Sequence, residues 1–166
     1  LSGLVYDPSI IYLSATDDPT DFDTSPAVPS ETQAFAINVR DFVNCMIPYS
    51  DDVMIVGGDH TITQFTGDPG IGGQIDVVSS TIGMAWGDAW AIDDKQQLYF
   101  FSSRGGVYKM QPGATPIMVS QQIKRRLENI DPTTHNISMK WDVYSQGLGV
   151  WITPHDDTKD GINYFW

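Results

Sequence analysis

Three kinds of side chain in this sequence could do chemistry: clustered aspartates, scattered histidines and tryptophans. Two loops concentrate acids, Asp17-Asp18-Pro19-Thr20-Asp21-Phe22-Asp23 and Asp156-Asp157-Thr158-Lys159-Asp160-Gly161. Several hard oxygen ligands gathered in one loop are what calcium requires, so Asp17, Asp18, Asp21, Asp23, Asp156, Asp157 and Asp160 are weak calcium candidates. Neither loop follows the twelve-residue calcium-loop pattern, and both lack its terminal glutamate. Aspartates in turns equally accept hydrogen bonds from their own backbone. No other cofactor is implied.

The histidines, His60, His135 and His155, are widely separated, and none falls into the spacing of a zinc site. Hydrolysis by two carboxylates needs acids held about 5–10 Å apart, and no spacing here selects a pair. A serine nucleophile elbow is missing too. Glycine-containing runs, Gly57-Gly58-Asp59-His60 and Ser103-Arg104-Gly105-Gly106, lead into strands rather than a helix N-terminus, which argues for hairpin turns with positive φ and against a phosphate cradle. No catalytic residue is expected, and the chain reads as a non-enzyme.

Five tryptophans remain, Trp86, Trp90, Trp141, Trp151 and Trp166. Exposed indoles can stack on sugar rings; more often they fill the space between sheets. Core packing is the preferred reading, with Trp86 in Gly83-Met84-Ala85-Trp86-Gly87-Asp88 the most exposed. In a glycan-binding alternative, Trp86 and Trp90 are the contact residues.

The elements that must position these groups are strands. Short apolar runs rich in Ile, Val, Tyr, Phe and Trp, bounded by Gly, Pro, Asp and Ser, predict strands near 3–6, 10–15, 34–39, 43–48, 53–57, 61–66, 74–80, 89–92, 97–102, 106–111, 116–119, 136–142, 147–153 and 161–166. Only Ser120 to Asn129 has helical spacing: Ser120 can cap it, Ile123, Leu127 and Ile130 share a face, and Pro132 stops it. Lys124-Arg125-Arg126 then reads as a solvated helix face.

A repeat also runs through the chain. Met54 to Phe65 aligns without gaps over Tyr99 to Met110, an offset of 99 − 54 = 45 residues. Similar steps lead back to Tyr12 and forward to Trp151. In each hairpin the first arm is continuously apolar, as in a strand covered on both faces, and the second alternates, as in a half-exposed one. A period near 45 residues fits four-stranded units and predicts an all-β protein: a β-propeller, or a propeller fragment, with one short helix; a β-sandwich is the alternative.

Bulk properties bound the rest. At 166 residues the chain is expected to form one β domain over residues 1–166. Its start at Leu1 and its apolar end suggest part of a longer chain. A net charge of −12 repels phosphate backbones and anionic membranes, so neither sequence-specific nucleic-acid binding nor membrane binding is expected. Cys45, the single cysteine, excludes an intrachain disulfide and reads as a buried, inert thiol.

Several segments carry a family resemblance. Ile11-Tyr12-Leu13-Ser14-Ala15-Thr16-Asp17-Asp18-Pro19-Thr20-Asp21-Phe22-Asp23 resembles a strand, Ser, Asp-Pro-x-Asp-Phe signature of virion proteins of tailed bacteriophages and prophages. The similarity continues through Ile47 to Gly57, Thr66-Gly67-Asp68-Pro69, Gly72 to Asp76, and Leu98 to Tyr108. The resemblance implies a tail or neck component, similar to tail-tube nozzle proteins with β-propeller domains. It further implies a virion location, other virion proteins as partners, a homo-oligomeric ring, and a structural role by self-assembly. A carbohydrate-binding or glycan-cleaving propeller is the alternative function, and a calcium-dependent adhesion module a third.

Overall fold

The structure, a computed structural model, describes residues 7–15, 18–25, 33–69, 72–156 and 160–166. Its strands are β1 (Ile10–Leu13), β2 (Phe35–Asn38), β3 (Val43–Ser50), β4 (Val53–Gly58), β5 (Ile62–Thr66), β6 (Gln74–Ser79), β7 (Trp90–Ile92), β8 (Leu98–Phe101), β9 (Val107–Met110), β10 (Ile117–Met118), β11 (His135–Asp142), β12 (Gly147–Pro154) and β13 (Ile162–Phe165). Each coincides with a run predicted as strand. The run at 3–6 lies outside the described residues.

These strands form four separate antiparallel sheets, each a meander in chain order: β1-β2, β3-β4-β5-β6, β7-β8-β9-β10 and β11-β12-β13. The chain is all-β, and the 45-residue repeat corresponds to the two four-stranded sheets. The expected propeller is not what it builds. None of the sheets closes or curls, and no strand pairing joins the first sheet to the last among the described residues. The arrangement is multi-sheet and sandwich-like. Recurring hairpins arise in any stack of meanders, so the period reported the unit and not its closure.

Stacking is visible in how the inner strands divide their side chains. Successive residues on a strand point to opposite faces. In β8, Leu98 and Phe100 enter a core shared with β3, β4 and β5, whereas Phe101 enters a second core shared with β11 and β12. In β4, Ile55 joins the first of these cores and Val56 a third, shared with β1 and β5. Both strands are apolar on both faces because both faces are covered. The second arm of the first hairpin does not behave as predicted: Ile62, Thr63, Gln64 and Phe65 of β5 are all buried, whereas Tyr108 and Lys109 of β9 are partly exposed. Gln64 is accommodated by donating from Nε2 to Thr66 Oγ1 and accepting the Gly113 amide at Oε1, so alternation here signals satisfied polar groups rather than solvent.

The helical segment is a 3-10 turn (Gln121–Ile123) running into α1 (Lys124–Leu127). Leu127 and Ile130 are buried with Ile123 against them, as the spacing predicts, and Lys124-Arg125-Arg126 is exposed. Ser120 makes no side-chain cap. Its hydroxyl instead accepts the Val107 amide at 2.9 Å and ties the helix to β9. Glycines also differ from expectation at one turn. Gly105 and Gly106 have φ of +85° and +91°, but Gly57 and Gly58 have no positive φ and are required by close approach. A Cβ on Gly58 would lie 2.4 Å from Asp41 Oδ2, and one on Gly57 2.5 Å from the Met84 Cβ.

Phe100 is fully buried and stacks on Tyr108 with centroids 5.8 Å apart. Phe100→Ala should lower the free energy of unfolding by about 3–5 kcal/mol in urea titration. A loss under about 1 kcal/mol would mean that the face between the two four-stranded sheets is not a packed core.

Candidate functional site

Two groups of side chains come together in space. The larger lies along β11, the edge strand of its sheet. On the outer face of the β11–β12 ladder, Ser138 pairs with Trp151 and Asn136 with Thr153, all four exposed, while Ile137, Val150 and Ile152 are buried on the inner face. Trp151 is 43% exposed. Its ring lies against the strand, because a Cβ added to Gly149 would be 2.4 Å from the indole Cη2. Gly149 is thus the gap that lets the indole lie down on the sheet.

The segment Gly83 to Ala89 supplies the facing wall. The Ala85 amide donates to the Phe101 carbonyl, the Phe101 amide to Ala89, and the Met139 amide to Asp88. These bonds fix the segment between β8 and β11 and leave Trp86 51% exposed. Trp86, Asp88, His135, Asn136, Trp151 and His155 line a hollow of about 570 Å³. His155 is anchored by its amide to the Thr134 carbonyl and meets Asn136 Oδ1 at 3.0 Å through Nε2. A second hollow, of about 620 Å³, continues along β11 and is lined by Trp90, Asp93, Asp94, Lys140 and Trp141, sharing Asp88, Ser138 and Trp151 with the first. Tyr99 stacks on Trp141 at 5.8 Å from behind.

The smaller group is Asp41, Asp59 and His60, whose ligand atoms lie within 4.8 Å of one another. Asp41 comes from the β2–β3 connection and the other two from the β4–β5 turn. The Asp41 side chain is 8% exposed. Burial pushes its carboxyl up, but the amides of His60, Thr61 and Phe42 and the Thr61 hydroxyl all donate to it and hold it below the usual carboxylate range. Asp59 Oδ1 accepts from Asn44 Nδ2 at 2.7 Å. Two carboxylates and an imidazole can weakly coordinate a divalent ion such as calcium. Calcium takes six to eight oxygens, so most of its shell would be water.

The expected calcium loops are placed differently. Asp17 and Asp157 lie outside the described residues. Asp18, Asp21 and Asp23 accept the amides of Thr20, Asp23 and Ser25, turn bonds within their own loop, and Asp156 and Asp160 are exposed. The converging set was hidden because Asp41 is far from Asp59 in sequence and only the β3–β4 pairing joins them. Of the tryptophans, Trp86 and Trp90 each line a hollow. Trp86, expected to be the most exposed, is 51% exposed, whereas the core reading fails for Trp151 and Trp166, at 43% and 42%. Cys45 fits its reading: it is buried, and burial pushes its thiol up to about 12.

No family model and no curated protein matches the chain. The propeller body that tied it to phage tail and nozzle proteins is replaced by open stacked sheets, so the phage, tail and propeller expectations lose that support. No helix among the described residues is long and apolar enough to cross a membrane.

Two outcomes test the Asp41 cluster. Because its pKa is lower folded than unfolded, Asp41 contributes stability above about pH 4 that is lost as pH falls through the folded value. Asp41→Asn should therefore cost about 1–3 kcal/mol at pH 7 and shrink the loss between pH 4 and pH 2 in urea titrations; an unchanged acid limb would remove Asp41 from the account. Millimolar calcium should raise the wild-type Tm slightly and leave that of Asp59→Asn unmoved.

Proposed function

We propose that the chain binds carbohydrate in the hollow between Trp86 and Trp151. The observation that carries the reading is the pairing of two exposed indoles with hydrogen-bonding side chains in one concave site. A sugar ring has apolar C–H faces and a rim of hydroxyls. Indole faces receive the former, and Asp88, Asn136, His135 and His155 can exchange hydrogen bonds with the latter. The volume is within the range of small-ligand sites.

Binding is favoured over cleavage. Glycoside hydrolysis needs two carboxyl groups flanking one bond, and among the described residues Asp88 is the only carboxylate lining this hollow. Nucleotide bases could also stack on indoles, but the net charge of −12 opposes their phosphates. Self-assembly in a virion has no comparable observation in its favour.

A glycan array followed by calorimetry tests the reading. Trp86→Ala and Trp151→Ala should each weaken binding tenfold or more, while Trp166→Ala, outside the hollow, should not. Failure of every glycan to bind, or tight binding that survives both substitutions, would overturn it.

A further inference from the structure

We infer that the two hollows along β11 are consecutive subsites for one extended, uncharged oligosaccharide, an inference that rests on the carbohydrate reading of the first hollow. Continuity is the primary argument. Asp88, Ser138 and Trp151 line both hollows, so no wall of other residues separates them. Trp151, flat on the sheet over Gly149, lies at the junction, where a glycan chain passing from one hollow to the other would cross its ring.

Composition of the second hollow supports the same occupant. Trp90 and Trp141 offer further aromatic surface, and the exposed Asp94 and Lys140 offer hydrogen bonds at its rim. Charge then selects among glycans. Among the described residues the two hollows together carry three carboxylates, Asp88, Asp93 and Asp94, against one amine, Lys140, in a chain of net charge −12. Uronic-acid, sulfated and sialylated chains would meet repulsion of like charges, and neutral chains would not.

Neutral glucose, mannose, galactose and N-acetylglucosamine oligomers of one to six units, titrated calorimetrically, test this. For the sugar that binds, affinity should rise at least tenfold between the disaccharide and the longer oligomers and then level off. Trp90→Ala should abolish that rise and leave disaccharide binding intact. Because Trp90 also packs against the core, the exposed pair Asp94→Ala with Lys140→Ala provides a second variant and should reduce the rise. Equal affinity for short and long oligomers, or tighter binding of a sulfated chain, overturns the inference while leaving the first hollow a sugar site. No binding by any oligomer overturns both.

Discussion

The alternation of β8 between two cores is the constraint on which the rest of the molecule depends. Leu98 and Phe100 on one face and Phe101 on the other are fully buried, so β8, in the third sheet, is the plane through which the second and fourth sheets are held together. A strand in that position exposes little, and in β8 only Tyr99 is partly exposed. Its neighbours must then take up the polar surface, and the chain does so at sheet edges and in the connections between sheets. Asp41 of the smaller group lies in such a connection, and the larger group lies where another meets the β11 edge.

The groove along β11 follows from this. Residues 83–89 must travel from β6 to β7 across the join between sheets, and they do so bonded to Phe101 on one side and Met139 on the other. Ala85 and Ala89 are buried. Trp86 and Asp88 between them turn outward. Beneath them the β11–β12 ladder presents Asn136, Ser138, Trp151 and Thr153 on its outer face only because Ile137, Val150 and Ile152 fill the inner one. The indoles are thus positioned by backbone hydrogen bonds and strand periodicity, which is the rigidity a binding surface needs to avoid ordering costs.

Local features of the fold were legible in the sequence. Strand runs, the turn glycines at 105 and 106, the apolar face of Ile123, Leu127 and Ile130, and the inert Cys45 all follow from composition and spacing within a few residues. Long-range features were not. Whether repeated meanders close or stack depends on contacts between units, which a period does not encode. Gln64 looked like an exposed position because its partner, the Gly113 amide, lies far along the chain. Trp151 sits in the apolar run Val150-Trp151-Ile152, where only Gly149 hinted that its side chain needed room outside. Trp86 was readable because glycine on both sides of Met84-Ala85-Trp86 made it a loop.

The central claim is that the indoles of the β11 groove contact a neutral sugar chain. Five tryptophans give five indole N–H signals in a nitrogen–proton correlation spectrum of the labelled chain. On titration with the neutral oligosaccharide that binds, the account predicts saturable shifts for Trp86 and Trp151, with Trp90 joining as the oligomer lengthens and Trp166 still. Shifts confined to Trp166, or none at all, would contradict it.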